Sequence, residues 1–275
     1  MPTVVAIIGA GELGASVASH LAHRDHVARI LLVDDAGGVA AGKALDIQQA
    51  CAVSGAHTHL VGTTDVSKAS GCDVCVVADP ASAGADLPAL EHLGSFVHRA
   101  PFVLAAPLDA RQFAHAVRET GLAPDRLLGS APEGYAGAVR ALIALEAGCS
   151  PGEIELAVLG TPSAFVVPWT EGSVHGSRLD QVLSAPQIVR LEALLPRLWP
   201  PGVGTLGVAA ARIVEGLLGR SRRRASVLAM LDGEFGARGV AGVVPVRLGP
   251  AGLVRIDAPV LSVRDRTRVA TSLGL

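Results

Sequence analysis

Aromatic side chains are scarce: the 275-residue chain carries 5 Phe, 2 Trp and 1 Tyr, only 3% of its residues, while 50% are hydrophobic. Large rings therefore cannot fill its core, which must be built from Ala, Val, Leu and Ile, as suits buried strands and closely packed helices. Charge is also sparse and balanced. With 23 Lys and Arg against 25 Asp and Glu the net charge is -2, and the excess of cations that a phosphate backbone attracts is missing, so no nucleic-acid partner is expected. No apolar run reaches the roughly 18 residues that span a bilayer. The N-terminal run leads into a glycine motif rather than a cleavage site, so a cytoplasmic chain without a membrane partner is expected. The four cysteines, Cys51, Cys72, Cys75 and Cys149, are scattered and suggest neither a disulfide framework nor a four-thiolate zinc site, and no metal is expected. Cys72 and Cys75 do form C-x-x-C. Residues 73–77 read as a buried strand, however, where positions three apart face opposite sides, which disfavours redox chemistry.

What the chain does have is an alternation of short β-branched runs and helical periods. Thr3-Val4-Val5-Ala6-Ile7-Ile8 reads as a fully buried parallel strand. In Glu12–His23 the residues Leu13, Val17 and Leu21 recur every four positions and form one helix face. Ile30-Leu31-Leu32-Val33 is a second strand ending at Asp34. A helix over 40–52, a strand over 72–78, a helix over 87–98 and a strand at Phe102–Leu104 continue the pattern, which predicts a parallel sheet. A helix over 135–147 then meets Ser150-Pro151-Gly152, where Pro and Gly punctuate the chain. The length suits two domains, 1–149 and 150–275, the second with strands over 155–159, 226–231 and 243–248 and helices over 186–195 and 208–218. The linker Trp199-Pro200-Pro201-Gly202 separates those two helices.

Gly9-Ala10-Gly11-Glu12-Leu13-Gly14 fits G-x-G-x-x-G between a strand and a helix, the context that gives the pattern meaning. One glycine permits the turn, the next lets a pyrophosphate approach the backbone, and the third lets helix and strand pack closely. Free N–H groups at the helix start would hold the phosphates. Asp34, about twenty residues on, can accept hydrogen bonds from the adenosine ribose, and its charge would repel a 2′-phosphate. These features predict a Rossmann-type domain binding a dinucleotide, NAD rather than NADP, through Gly9, Gly11, Glu12, Leu13, Gly14 and Asp34.

With these residues in place, the sequence resembles the lactate/malate dehydrogenase family, most closely its malate branch. Gly42-Lys43-Ala44-Leu45-Asp46-Ile47 resembles that family's helix after the second strand, and Gly62-Thr63-Thr64-Asp65 its next strand and turn. Pro107-Leu108-Asp109 matches the end of its Asn-Pro-x-Asp segment. Leu159-Gly160 and Val167-Pro168 bracket its catalytic histidine segment, and Leu231-Asp232-Gly233-Glu234-Phe235-Gly236 resembles its late strand signature. The resemblance implies an α/β fold, a doubly wound parallel sheet followed by a smaller α+β domain of that family's C-terminal type, and a homo-oligomer, dimer or tetramer.

In that family a His exchanges a proton with the substrate oxygen, an Asp orients it, and arginines clamp the substrate carboxylate under a mobile loop. By resemblance, this sequence departs from the pattern at each of those positions. Thr161-Pro162-Ser163-Ala164 replaces the family's Gly-His-Gly-Asp, so Pro162 stands in the histidine's place. The orienting Asp falls on Tyr135, the substrate Arg on Ala138, and the nicotinamide-contacting Asn on Ala106. The loop after the fourth strand is shortened to residues 79–85, and no Arg occurs between Lys68 and Arg99. Tyr135 is the one candidate for a substitute proton donor, although a packed ring filling the emptied site is favoured. His175 reads as an exposed turn residue, and His20, His23 and His26 as dipole-favoured residues at a helix end. Arg220, Arg222, Arg223 and Arg224 read as a solvated helix end. The favoured expectation is a catalytically degenerate, NAD-binding family member. A rewired oxidoreductase and a non-catalytic subunit, alone or paired with an active relative, are the other two.

Overall fold

The apolar runs that end at Gly9 and Asp34 form adjacent strands, buried on both faces in a parallel ladder. In a computed structural model that describes residues 2–82, 84–86, 88, 90–162 and 164–275, the first half runs β1 (Val4–Ile8), α1 (Glu12–His23), β2 (Arg29–Val33), α2 (Gly37–Ser54), β3 (His59–Thr63), β4 (Val74–Val77), α3 (Leu90–Phe96), β5 (Phe102–Leu104), α4 (Ala110–Thr120), β6 (Leu127–Gly129) and α5 (Ala131–Ala147). The six strands pair in the order 3-2-1-4-5-6, all in parallel. One apolar layer lies on each side of the sheet: α1, α2 and a helix from the second half, Val203–Leu217, supply the first, α3, α4 and α5 the second. This is the doubly wound arrangement, whose strand order reverses beside β1 and leaves a crevice over the strands' carboxyl ends.

The second half runs β7 (Ile154–Glu155), β8 (Leu159–Thr161), β9 (Ala164–Val166), β10 (Ser173–Val174), β11 (Ser177–Arg178), α6 (Leu179–Val182), α7 (Ala185–Leu194), α8 (Val203–Leu217), β12 (Ala225–Asp232), β13 (Arg238–Gly249), β14 (Gly252–Ile256) and α9 (Val263–Leu273). Its main strands do not form a separate sheet. β12 pairs antiparallel with β6 through Leu228 and Gly129, and β13, β8, β9 and β14 extend the same sheet to eleven strands. A second sheet, β11-β10-β7, has three.

Several expectations shift. The run 155–159 is two strands: Ile154–Glu155 joins the small sheet and Leu159–Thr161 the large one, a division that an unbroken apolar stretch does not announce. The helix expected over 135–147 begins at Ala131, since Pro132 is tolerated in a first turn. The helix expected over 208–218 begins at Val203, its Gly204 and Gly207 notwithstanding. Of the helix expected over 87–98, Leu87 and Ala89 lie outside the described residues and Leu90–Phe96 is helical. The helix α4 was not anticipated, although its signal is plain: Asp109 accepts from the N–H groups of Arg111 and Gln112, and the Gln112 side chain accepts from Asp109 N, a complete capping box. Cys72 stands before the strand rather than in it, so alternation does not separate it from Cys75; both lie in the same apolar layer.

Candidate active site

The glycine turn is built as expected. Gly9 adopts φ +99, which suits a residue without Cβ. Gly14 packs so closely that a Cβ there would lie 2.0 Å from the Gly9 carbonyl oxygen. Lys43 ties α2 to the turn, donating to Ala10 O at 2.7 Å and Gly11 O at 2.9 Å. Asp34 ends β2 beside the turn, buried at 8% exposure. Its Oδ2 accepts from Ala10 N at 2.7 Å and Ala81 N at 2.8 Å, and its Oδ1 from Ala36 N at 2.9 Å. Burial pushes its pKa up, but the three N–H donors and the nearby Lys43 outweigh that and hold the carboxyl below its ordinary value.

Asp79, which sequence reasoning assigned no role, completes this corner. Standing just past β4, it points its carboxylate at the start of α1: Oδ1 accepts from Gly14 N at 2.9 Å and Oδ2 from Leu13 N at 3.2 Å. Its carbonyl accepts from Gly11 N at 2.9 Å. A Cβ on Gly11 would lie 2.2 Å from Asp79 Oδ2. The second glycine therefore gives room to this carboxylate, the office assigned above to pyrophosphate approach. Glu12 begins α1 with its side chain exposed, and Leu13 is buried beneath the turn. With Asp79 on the Leu13 and Gly14 amides, the residues present do not fit a dinucleotide's pyrophosphate. The readable signal was a carboxylate at a strand's carboxyl end facing a helix dipole.

The region that the resemblance assigns to catalysis is tightly packed among the described residues. Pro162 is buried in the turn between β8 and β9, and Ser163 lies outside the described residues. Tyr135, 1% exposed in the first turns of α5, stacks on Phe165 of β9 with ring centroids 3.9 Å apart, and Trp199 closes edge-on at 6.5 Å. Burial pushes the phenol up to about 12. The packed reading of Tyr135 thus matches its surroundings. Ala138 lines a cleft of about 340 Å³ between α5 and α8 with Gly134, Gly137 and Thr205. Two guanidiniums reach that cleft, but both are engaged: Arg140 Nη2 lies 2.6 Å and Arg212 Nε 3.4 Å from Glu133 Oε1. Glu133 Oε2 accepts from Ser226 N at 2.7 Å. This buried ion triad was not foreseen, because its members are spread over α5 and α8.

Other charged groups find specific partners too. Glu215, buried on α8, receives Arg24 Nη1 at 3.0 Å and His26 Nδ1 at 3.3 Å, so His26 answers to a carboxylate and not only to a helix dipole. His175 is exposed in the β10–β11 turn, its Nε2 3.3 Å from Glu153. Arg222, Arg223 and Arg224 are exposed, as expected, but stand past the end of α8; with Arg140, Arg212 and Arg247 they line an open cleft of about 320 Å³.

The strand order and the glycine turn together define a doubly wound α/β scaffold of the Rossmann type. No protein-family model matches the chain. It is 31% identical to a malate dehydrogenase of Thermomicrobium roseum over 295 residues, covering 98% of this chain and 94% of that protein. To a malate dehydrogenase of Salinibacter ruber it is 29% identical over 299 residues, 98% and 93% of the two chains. The solved Salinibacter ruber malate dehydrogenase superposes with TM-score 0.88 at 24% identity, over 99% and 94% of the two chains. A lactate dehydrogenase of Cryptosporidium parvum, solved with lactic acid and nicotinamide adenine dinucleotide, does so with TM-score 0.90 at 20% identity, over 100% and 95%. The chain belongs to the malate and lactate dehydrogenase family. No helix among the described residues is long and apolar enough to cross a membrane.

Proposed function

We propose that this chain is a malate dehydrogenase-like protein that no longer transfers hydride and acts through assembly. The observation that carries this reading is the packed ring stack of Tyr135, Phe165 and Trp199 in the region where the family resemblance puts the substrate and its proton relay. Hydride transfer to or from a carbonyl carbon leaves alkoxide character on oxygen, which must be met by a group that exchanges a proton near neutrality. Pro162 has no titratable atom. Burial pushes the Tyr135 phenol up to about 12, which opposes a rewired reaction through its hydroxyl. The carboxylate clamp is missing at Ala138, and Arg140 and Arg212 are both drawn to Glu133. Loss of one acid–base group costs on the order of 10² to 10⁴ in rate.

In this reading the glycine turn and Asp34 are what remains of an NAD groove. The chain works as a homo-oligomer, dimer or tetramer, or beside an active relative. Exposed apolar side chains, Leu45 and Val53 on α2 and Val203 and Val208 on α8, support such a contact surface. Two measurements test the proposal. Purified protein with NAD and malate or lactate is expected to give no NADH absorbance above the protein-free rate, and sustained turnover would overturn the reading. Sedimentation velocity is expected to show a dimer or tetramer; a monomer at all concentrations removes the assembly role.

A further inference from the structure

We propose that Asp79 is the resident anion of the groove: its carboxylate stands where a dinucleotide's pyrophosphate would, so this chain excludes NAD, and removing that carboxylate admits it. The inference concerns ligand occupancy and does not rest on the loss of hydride transfer.

The start of an α-helix offers a few unpaired N–H groups and a partial positive charge, enough to hold one anionic group closely. Here the helix cannot supply its own cap, because its N-cap residue is Gly11 and has no side chain. Asp79 supplies the cap from the end of β4, with one oxygen on Gly14 N and the other on Leu13 N. A pyrophosphate needs the same donors. Bringing it in would set two or more negative charges against a fixed carboxylate in a part-buried corner, where like charges disfavour one another strongly.

Three further contacts show that the arrangement is built in and not a side chain resting on a vacant turn. Gly11 N donates to the Asp79 carbonyl at 2.9 Å, so the backbone of the segment is fixed as well as its acid. A Cβ on Gly9 would lie 2.3 Å from that carbonyl oxygen and one on Gly11 2.2 Å from Asp79 Oδ2. The first two glycines of the motif thus serve the approach of Asp79. Finally, Ala81 N, two residues further, donates to Asp34 Oδ2 at 2.8 Å. One short segment therefore engages both the phosphate-binding and the ribose-binding groups.

The test uses the full chain and two variants, Asp79→Ala and Asp79→Asn, each checked for folding by circular dichroism and melting temperature. Asn keeps an acceptor for the helix amides while removing the charge, so it decides the matter if the Ala variant does not fold. The probes are NADH, followed by fluorescence, and ADP-ribose, followed by calorimetry, which reports the adenosine and pyrophosphate half alone. Expected are no saturable binding to the wild type up to about 1 mM and a gain of roughly ten- to a hundredfold in affinity in the folded variants, as removal of a charged competitor for two amides implies. Wild-type binding of either probe well below that concentration would overturn the proposal, and so would folded variants that remain as silent as the wild type. Wild-type protein that binds NADH yet oxidises neither malate nor lactate would sink this inference and leave the preceding one standing.

Discussion

Replacing Glu133 by Gln changes no shape and removes one charge, which makes it a clean probe of the ion triad between α5 and α8. The Glu133 side chain is 2% exposed and faces Arg140, itself 14% exposed, and Arg212 at 29%. With the carboxylate gone, two guanidiniums converge on a neutral amide, and the amide must also keep its bond from Ser226 N. Removing one member of a buried pair costs about 3 to 5 kcal/mol because the remaining charge is left uncompensated. Partial solvation of Arg212 screens some of that, so about 3 kcal/mol is expected. For a chain of this size each kcal/mol lowers the melting temperature by roughly 2 to 4 °C, so a fall of roughly 6 to 12 °C should appear in calorimetry, with a matching shift of the urea midpoint. Adding Arg140→Met to the variant removes one stranded cation and should recover part of the loss, a coupling that a double-mutant cycle measures directly. A loss below about 1 kcal/mol, or a double variant no better than the single one, would show that the triad is not acting as a compensated charge cluster.

Three other outcomes follow from contacts already described. Because the Asp34 carboxyl is held below its ordinary value, it stabilises the fold above the unfolded-state pKa near 4, and that stability is lost as pH falls through the depressed folded value. Asp34→Asn should therefore flatten the acid limb of melting temperature against pH, and an unchanged limb would refute the assignment. Tyr135 is the only tyrosine, so ultraviolet titration reads it alone; phenolate absorbance should stay absent until about pH 12 or until the alkaline unfolding transition, and a midpoint near 10 in folded protein would place the ring in solvent. Gly14→Ala should cost about 3 kcal/mol through its clash with the Gly9 carbonyl. Gly42→Ala, on an open stretch of α2 where a Cβ meets nothing within 4 Å, should instead stabilise by about 0.5 to 1 kcal/mol. Chemical denaturation of the pair compares the two signs.

The first corner of the fold was legible because its determinants are local. Buried parallel strands write themselves as β-branched runs, the α1 face repeats every four residues, and the glycine turn and Asp34 follow at the spacing a strand–turn–helix unit imposes. Only the family resemblance, and no local pattern, drew attention to Pro162, Tyr135 and Ala138. What escaped were pairings across the fold. Asp79 reads locally as a turn former, and only the crossover from β1 to β4 brings it over the start of α1. Glu133 and Glu215 look like ordinary helix acids until α5 and α8, or α1 and α8, are packed together. The division of 155–159 depended on which sheet each end would join, and α9 carries a weak pattern, with only Asp265 and Val269 buried.

The pairing of β12 onto β6 has a mechanical consequence. Two halves that share one set of pleats cannot swing apart like jaws, so the corner under α1 opens only if the short stretch beginning at Asp79 lifts by itself. The same seam makes a fragment ending near residue 149 a poor autonomous unit, since it would present the bare hydrogen-bonding groups of β6 to any neighbouring chain. Severed there, the molecule is expected to precipitate; intact, it should melt as one body.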